Sequence, residues 1–320
     1  MNFQEQVLNL TKQIPEGRIS TYGEIAEALG DIRAARAVGN ALNKNLKLRE
    51  IPCHRVVMSN GSIGGYSRGV KEKIKLLEKE EINIKNNKIL NFKNILFESK
   101  EFKIVKKDSE TCVDLKKLRK IQKEIEYKII LKDNFSEIKS VAGFDIAYAT
   151  ENNALGACIV FDCKTKKVIE EQTIEAKVDF PYISTYLTFR EFPIIEKLFK
   201  NLKNKPTISM IDGNGILHPR GVGIASHAGV LLDIPAIGVA KTLLCGEVIG
   251  DKVIYKGKLI GNALKSEKAK NPVYVSPGHK ISFETAKVVV KNFLKYRIPE
   301  PVRQAHLLAV KLKNQEIKQR

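Results

Sequence analysis

The feature that most constrains this chain of 320 residues is a change in character near residue 82. Before it lie short helical segments and a Gly/Ser-rich loop, whereas after it apolar runs with strand-like spacing alternate with helical segments. The stretch 82–112 is rich in Lys and Asn and has weak periodicity, as at a domain boundary. The sequence therefore predicts two domains, residues 1–82 and 113–320, joined by a linker over 83–112.

The first domain is predicted to be mainly α-helical. Thr21 followed by Glu24 forms a capping box that opens a short helix, which Gly30 ends. A brief turn then leads to a second helix in "RAARAVGNALNKN". Two short helices joined by a turn that contains glycine indicate a helix-turn-helix.

The second domain is predicted to combine strands and helices. Three strand-like runs, "SVAGFDIAYA", "ALGACIVFD" and "KVIEEQTIEAKV", are spaced as in an antiparallel meander. They are followed by a helix whose first turn is predicted to hold Pro193, and then by strands that alternate with helices. This order implies an α/β fold with a mixed sheet covered by helices.

The formal charge of +19 and the pI near 9.6 predict an anionic partner. Nucleic acid fits best, because no apolar run approaches the length needed to cross a bilayer. The five cysteines are odd in number, scattered and without a CxxC pair, which argues against a disulfide framework and a zinc cluster. The N-terminal segment lacks the apolar core of a signal peptide, so we expect a reduced, cytoplasmic setting.

Cys53 lies between Pro52 and His54 in "IPCHRVV" and is a candidate nucleophile. A thiol is nucleophilic only as the thiolate, and His54 is the nearest base in the sequence. The plain alternative is that Cys53 is a small buried apolar residue, as a lone cysteine usually is. Beside a helix-turn-helix the motif favours nucleophilic chemistry on DNA, but spacing alone does not name the reaction.

Residues 1–82 resemble the active domain of O6-alkylguanine-DNA alkyltransferases almost from end to end, through "GRISTYGEIAEALG", "AARAVGNAL" and "IPCHRVV". The resemblance implies a mainly α, winged-helix-like domain that flips an alkylated guanine out of double-stranded DNA. It also implies that Cys53 takes the alkyl group from O6 irreversibly and without a cofactor. Alkyltransferase-like proteins that bind lesions without repairing them replace this cysteine, whereas the present chain retains it.

The same resemblance assigns roles around Cys53. His54 is expected to act as a water-mediated base, with Glu80 orienting it. Tyr22 is expected to rotate the phosphate of the target nucleotide and to donate a proton towards O6.

Three further residues are expected to contact DNA or to support that contact. Arg36 would fill the hole left by the flipped base, Asn45 would be the hinge between the recognition helix and the active loop, and Ser67 would contact the base. The plain alternatives for Tyr22 and Arg36 are a residue of a capped helix and a surface charge.

Two aspartates lie in apolar runs of the second domain, Asp145 in "VAGFDIAY" and Asp212 in "ISMIDGNG". A carboxylate in a buried strand is costly unless it is paired or bound to a metal. Mg²⁺ prefers several such oxygens, so the pair favours metal-dependent phosphodiester hydrolysis. Asp212 has a plain alternative as a polar strand end, because Gly213 indicates a turn.

Residues 114–310 resemble endonuclease V through "AGFDIAYA", "DGNGILHPRGVGIASHAG", "GVAKTLL" and "VSPGH". The resemblance implies an RNase H-like fold with the first and fourth strands adjacent and parallel, so that Asp145 and Asp212 lie side by side. It implies cleavage of DNA at the second phosphodiester bond on the 3′ side of deoxyinosine and related deaminated bases. Asp145, Glu191 and Asp212 match the metal-binding carboxylates, with Mg²⁺ expected and Mn²⁺ an alternative.

Four more residues match this family's pattern. Lys241 is expected to face the scissile phosphate, and His218 and His279 are expected at the active site. Tyr182 belongs to "PYIS", residues 181–184, which resembles the wedge that separates the strands beside the lesion. Its ring is expected to stack against a base.

The sequence therefore predicts a fusion of two DNA-repair enzymes acting on double-stranded DNA that carries O6-alkylguanine or deaminated bases. A cytoplasmic monomer without membrane association is expected. The rival is a non-enzymatic sensor of alkyl lesions fused to a ribonuclease directed at inosine in RNA. His227 and His306 are interpreted as ordinary hydrogen-bonded histidines.

Overall fold

The computed structural model describes residues 2–47, 50–104 and 113–319. The chain divides into two compact units. The N-terminal unit consists of Met1–Arg119 with Phe180–Ser184, and the C-terminal unit consists of Lys120–Asp179 with Thr185–Arg320.

The N-terminal unit is mainly helical over its described residues. Its helices are α1 (Phe3–Thr11), α2 (Tyr22–Ala28), α3 (Ala35–Asn43), α4 (Val70–Lys79) and the start of α5 (Leu115–Glu126). Its short strands are β1 (Ser20–Thr21), which is parallel to β2 (Val56–Val57), and β3 (Ile84–Lys85), which is antiparallel to β4 (Lys88–Ile89).

Thr21 caps the start of α2 as the sequence predicts, but Glu24 does not complete the capping box. Thr21 Oγ1 accepts the N–H of Glu24 at 3.0 Å, which satisfies a donor left over at the helix start. The carboxylate of Glu24 accepts the N–H of Ser99 at 2.5 Å, so it is committed to a distant segment. Gly30 follows the helix with φ +111°, which a glycine adopts readily.

The predicted linker over 83–112 is corrected for residues 84–104, which fold with the N-terminal unit. The N–H of Phe97 donates to the carbonyl of Ile19 at 2.7 Å, extending the β1 region. Ile82 and Ile89 join the apolar cluster that contains Ile19. The Lys/Asn-rich stretch thus carries enough spaced apolar residues to be buried, and residues 105–112 lie outside the described residues.

The C-terminal unit is built on a nine-stranded mixed sheet, which confirms the predicted α/β fold. In chain order its strands are β5 (Ser140–Thr150), β6 (Asn153–Asp162), β7 (Val168–Lys177), β8 (Ile208–Asp212), β9 (Ala236–Ala240), β10 (Glu247–Ile249), β11 (Lys252–Tyr255), β12 (Lys258–Leu264) and β13 (Val273–His279). Their spatial order is β10-β11-β12-β13-β9-β8-β5-β6-β7. The β5–β8 and β8–β9 pairs are parallel, and the predicted meander β5–β6–β7 is antiparallel.

Helices cover both faces of this sheet. They are α6 (Leu187–Asn201), α7 (Ile224–Leu232), α8 (Phe283–Phe293) and α9 (Glu300–Gln319). Val141 of β5 belongs to the core shared with α8 and α9, while Phe144 belongs to the core shared with α6 and α7. Side chains on the two faces of β5 therefore pack into two separate cores, one on each side of the sheet. Among the described helices, none has the length and apolar character that a membrane span requires.

Helix α9 approaches β5 closely because Gly143 has no side chain. A Cβ at Gly143 would lie 2.0 Å from the carbonyl carbon of Pro301, a distance that no larger residue tolerates. This contact fixes the first turn of α9 over the strand that carries Asp145.

Helix α6 begins earlier than the sequence predicts. Pro193 lies inside Leu187–Asn201 and not in the first turn. Thr188 and Arg190, which precede Pro193, are buried together with Ile194 on the same helix, so packing extends the helix towards its N-terminus. Glu191 is consequently held on a helix.

Candidate active sites

Cys53 begins a short 3₁₀ turn, Cys53–Arg55, that leads directly into β2. Its side chain is buried, and Asn45 Nδ2 donates a hydrogen bond to its Sγ at 3.1 Å. Asn45 Oδ1 accepts the N–H of Lys47 at 2.9 Å, which orients the amide towards the sulfur. The expected hinge residue is therefore also a direct partner of the candidate nucleophile.

A buried cation lies near this thiol. Lys73 on α4 is 0% exposed, and its Nζ donates to the carbonyls of Val56 at 2.5 Å and Gly65 at 3.1 Å. Burial lowers the pKa of Lys73 to about 8, against the opposing effect of Cys53. Burial also raises the pKa of Cys53, while the hydrogen bond from Asn45 and the charge of Lys73 oppose that rise. The sequence signal for Lys73 was hidden, because it lies in a helix of many charged residues.

His54 and Glu80 form the pair that the resemblance implies. His54 Nε2 lies 2.7 Å from Glu80 Oε1. Arg55 holds the same carboxylate through its Nε, at 3.0 and 2.9 Å, and donates through Nη1 to the carbonyl of Ile14 at 2.8 Å. Burial opposes ionisation of Glu80, but the hydrogen bonds from Arg55 and His54 outweigh it and lower its pKa. Glu80 is thus an ionised, fixed partner for the imidazole.

The expected DNA-contacting residues lie on α2, on α3 and in the loop before α4. Tyr22 begins α2 and is half-buried; burial and the neighbouring Cys53 raise its pKa. A Cβ on Gly39 of α3 would lie 3.7 Å from the Tyr22 ring, so the two helices meet at this side chain. Arg36 and Ser67 are exposed. Arg36 and Ser67 therefore lie on the surface, and Tyr22 lies at its margin.

In the C-terminal unit, Asp145 lies within β5 and Asp212 ends β8, the parallel strand beside it. Phe144 pairs with Ile211 in the β5–β8 ladder, so the two aspartates are the next residues along. Asp145 is only 5% exposed. Burial, together with a hydrogen bond and charge repulsion from Asp212, raises its pKa to about 9, and Lys241 opposes the rise.

Glu191 on α6 adds a third carboxylate. Tyr148 of β5 donates a hydrogen bond from its hydroxyl to Glu191 Oε1 at 3.0 Å. The guanidinium of buried Arg190 lies over the Tyr148 ring, 4.4 Å from its centroid, and so holds the ring in place. Burial raises the pKa of Glu191 to about 7; the hydrogen bond from Tyr148 opposes this rise and the charge of Asp212 adds to it.

Lys241 follows β9 and contacts the carboxylate pair. Its Nζ lies 2.6 Å from Asp212 Oδ2. Arg297 donates a short hydrogen bond to the carbonyl of Lys241, which ties the backbone of this residue down. A cation is thus present at the edge of the carboxylate cluster, where a phosphate group would bring further negative charge.

His306 is a residue of this site that the sequence interpretation missed. Its Nδ1 lies 3.0 Å from Asp145 Oδ2. Burial and the charge of Lys241 lower its pKa. The available signal was its position on α9 beside the buried stripe of Val302, Ala305 and Ala309, but that pattern equally suits a packed histidine.

The two other expected histidines make different hydrogen bonds. His279 pairs with Ala236 at the start of β9, whereas Lys241 follows the end of that strand, so the expectation for His279 is corrected. Its Nδ1 accepts the N–H of Ile130 at 3.3 Å. His218 is buried in the loop after β8, and its Nδ1 accepts the N–H of Arg220 at 3.2 Å.

The carboxylate cluster has the chemistry of a site for a hard divalent cation. Asp145, Glu191 and Asp212 offer oxygen ligands, and the pKa values of the first two are raised mainly by burial and further by the charge of Asp212. Over the described ranges, no three His, Cys, Asp or Glu side chains are already gathered in a coordinating arrangement. Lys241 supplies the positive charge that Asp212 contacts. The donor set therefore fits a divalent cation.

Comparison with known proteins identifies both units. Residues 123–307 match the Endonuclease V family, and residues 2–82 match the family described as 6-O-methylguanine DNA methyltransferase, DNA binding domain. A bifunctional methyltransferase/endonuclease of Picrophilus torridus is 37% identical over 309 residues, which cover 97% of this chain and 96% of that protein. The chain belongs to the bifunctional methyltransferase/endonuclease family.

Another bifunctional methyltransferase/endonuclease, from Thermoplasma volcanium, is 37% identical over 94% of this chain and 87% of its own length. A crystal structure of Ciona intestinalis Endonuclease V in complex with a 24mer DNA containing an inosine followed by a ribo-adenosine covers 63% of this chain and 98% of its own, at 33% identity and TM-score 0.58. These matches confirm both resemblances and the two enzyme classes predicted from the sequence.

Proposed function

We propose that the N-terminal unit removes alkyl groups from O6 of guanine in double-stranded DNA by transfer to Cys53. The C-terminal unit nicks DNA at the second phosphodiester bond on the 3′ side of deoxyinosine and related deaminated bases. The observation that carries the first half is the Asn45–Cys53 contact beside the His54–Glu80 pair. The second half rests on the adjacent carboxylates of Asp145 and Asp212.

In the transfer step, the thiolate of Cys53 attacks the alkyl carbon. A sulfur–carbon bond forms, the bond from that carbon to O6 breaks, and the guanine leaves with a proton donated from the Tyr22 hydroxyl. His54 takes the thiol proton through a water, and Glu80 holds the imidazole in place. Asn45 stabilises the sulfur as its charge develops.

DNA binding in this unit is assigned to the exposed positions. Arg36 fills the stack left by the flipped guanine, which offsets part of the few kcal/mol that extrusion costs. Ser67 contacts the base, and Asn45 links α3 to the reactive turn. The retained thiol in this setting favours repair over lesion sensing.

In the nuclease, Asp145, Glu191 and Asp212 would hold a divalent cation, with Mg²⁺ matching the all-oxygen donor set. When bound, such an ion would lower the pKa of a water and stabilise charge on the leaving oxygen. Lys241 pairs with the negative charge of the scissile phosphate. His306 holds or moves a proton beside Asp145, and Tyr148 orients Glu191.

A second candidate substrate is inosine in RNA or at a DNA–RNA junction. The Ciona intestinalis complex favours it, because the DNA in that structure has a ribo-adenosine after the inosine. A 2′-hydroxyl at this position would distinguish the two substrates.

The test is a side-by-side assay of one preparation on two oligonucleotides. An O6-methylguanine duplex should transfer one methyl per protein molecule and stop, and a deoxyinosine duplex with Mg²⁺ should be nicked. Cys53→Ala should lose transfer alone, and Asp145→Ala should lose nicking alone. Binding without transfer would replace repair by sensing, and much faster cleavage of inosine-containing RNA would make RNA the substrate.

A further inference from the structure

Thr185 has a backbone conformation that its side chain disfavours. Its φ is +71°, in the left-handed region, where a β-branched residue is an outlier. It follows the wedge, residues 181–184, directly in the chain, and it precedes the fully buried Tyr186 at the start of α6. The strain therefore lies at the point where the wedge joins α6.

Two side chains hold Thr185 in this conformation. Arg220 donates from one nitrogen, Nη2, to both the carbonyl and the Oγ1 of Thr185, each at 2.7 Å. Gln122 donates from Nε2 to the same carbonyl at 2.9 Å, and its Oε1 accepts from Arg220 Nε at 2.7 Å. Gln122, Thr185 and Arg220 thus form a closed ring of hydrogen bonds, called here the Thr185 latch.

Gln122 and Arg220, which form the latch with Thr185, make further contacts of their own. Gln122 is 0% exposed. The guanidinium of Arg220 lies 4.4 Å from the centroid of the Tyr186 ring, a cation–π distance. Arg220 is also fixed through its backbone N–H, which donates to His218. Gln122 and Arg220 are therefore each held by contacts beyond Thr185.

Strain of this kind persists only where the surroundings over-determine it. Left to itself, a threonine at this position would favour an extended conformation by about tenfold or more. The backbone that joins residue 184 to α6 would then follow a different path at Thr185. Tyr182 in the wedge is 53% exposed, so its own packing leaves it available to a ligand.

We propose that the Thr185 latch positions the wedge for separating the strands of lesion-containing duplex DNA. Arg220 and Gln122 are positioning residues in this assignment, acting through the backbone of Thr185. Fixing the wedge before DNA binds removes an ordering cost from the binding step. The inference rests on the proposed endonuclease function and names the residues that make it effective on paired DNA.

The experiment compares nicking of two DNA substrates by the full chain. In one, deoxyinosine lies in a fully paired duplex; in the other, mismatches on both sides keep the same lesion in an opened bubble. A wedge is needed only for the paired substrate. The ratio of the two nicking rates therefore reports wedge positioning, and a uniform loss of folding or catalysis leaves this ratio unchanged.

The decisive variants are Arg220→Ala and the double change Arg220→Ala with Thr185→Gly. We expect Arg220→Ala to lower the paired-to-bubble ratio by about tenfold, because the left-handed conformation is no longer held. Glycine adopts that conformation without strain, so the added Thr185→Gly should restore most of the ratio. Gln122→Ala should lower the ratio to a smaller extent, and Lys197→Ala, on the exposed face of α6, should leave it unchanged.

The alternatives give different outcomes. If Arg220 contacts DNA directly, Thr185→Gly will not restore the ratio, and the latch is overturned. If Arg220→Ala lowers both rates equally, the residue supports folding or catalysis and the inference is again overturned. If the unmodified chain nicks neither substrate, the proposed endonuclease function itself fails and the inference falls with it.

Discussion

Asp145 and Asp212 lie at the same level of two parallel strands, and Asp212 makes ionisation of Asp145 more costly. The pKa of Asp145 rises to about 9 because this side chain is buried and because the hydrogen bond and the charge of Asp212 disfavour its ionised form. Lys241 contacts Asp212, and His306 contacts Asp145, so each carboxylate has one basic neighbour. The arrangement gathers two carboxyl groups and two basic side chains where β8 ends.

The first prediction concerns this carboxylate pair. Asp212→Asn keeps the shape of the side chain and removes its charge. Loss of residues that merely orient metal ligands costs about 10–100-fold, so loss of a ligand should lower nicking by more than about a hundredfold. The check is to measure nicking and methyl transfer on one preparation. Parallel loss of methyl transfer would show that the substitution damages the whole chain.

The second prediction concerns the hydrogen bond from Tyr148 to Glu191. Tyr148→Phe should raise the Mg²⁺ concentration needed for half-maximal nicking by about 10–100-fold, because Glu191 loses its orienting partner. Tyr255→Phe, on β11, is the matched control. A lower maximal rate with an unchanged Mg²⁺ requirement would assign Tyr148 to another step.

The third prediction concerns the buried ammonium near Cys53. Lys73→Met removes a charge that lowers the pKa of the thiol, so methyl transfer should require a higher pH. Each unit by which the pKa rises lowers the thiolate fraction at neutral pH about tenfold. Transfer rates measured across pH give the shift, and Lys75→Met on the exposed face of α4 is the control. Coincident profiles for Lys73→Met and the unmodified chain would exclude this electrostatic role.

The fourth prediction concerns the buried His227, which packs edge-on against Phe189 and Phe192. Burial lowers its pKa from 6.5 to about 4, so the unfolded chain binds a proton more readily than the folded chain. The free energy of unfolding should therefore decrease by up to about 3 kcal/mol as the pH falls from 6.5 to 4. Above pH 6.5, His227 should make no pH-dependent contribution to stability.

His227→Leu should flatten this dependence, because leucine has no proton to bind. Denaturant unfolding at several pH values measures the slope. An unchanged slope in the variant would mean that other groups cause the loss of stability in acid.

Both aspartates could be singled out from the sequence because Asp145 lies inside an apolar, strand-like run and Asp212 ends another. Their adjacency was an implication of the resemblance, which supplied the parallel pairing of the two strands. His306 could not be predicted in this way. Its contact with Asp145 depends on how closely α9 packs over Gly143, and no local pattern encodes that distance.

Other misses share a physical cause. Lys73 is on a helix with many lysines, and periodicity does not show which ammonium is buried against carbonyls. Thr185 has no sequence signal for a positive φ, because glycine or asparagine is the usual marker. The conformation is imposed by Arg220, which is distant in the chain.

The folding of residues 84–104 onto the N-terminal unit determines where this polypeptide can be dissected. A recombinant fragment that ends at residue 82 would lack Phe97, which hydrogen-bonds to the backbone of Ile19, and Glu101, which pairs with Arg18. It would also expose the apolar cluster that contains Ile19. Such a fragment should precipitate or be degraded during expression, whereas one that runs through 104 keeps these contacts. A cut that separates the two enzymes should therefore be placed after residue 104.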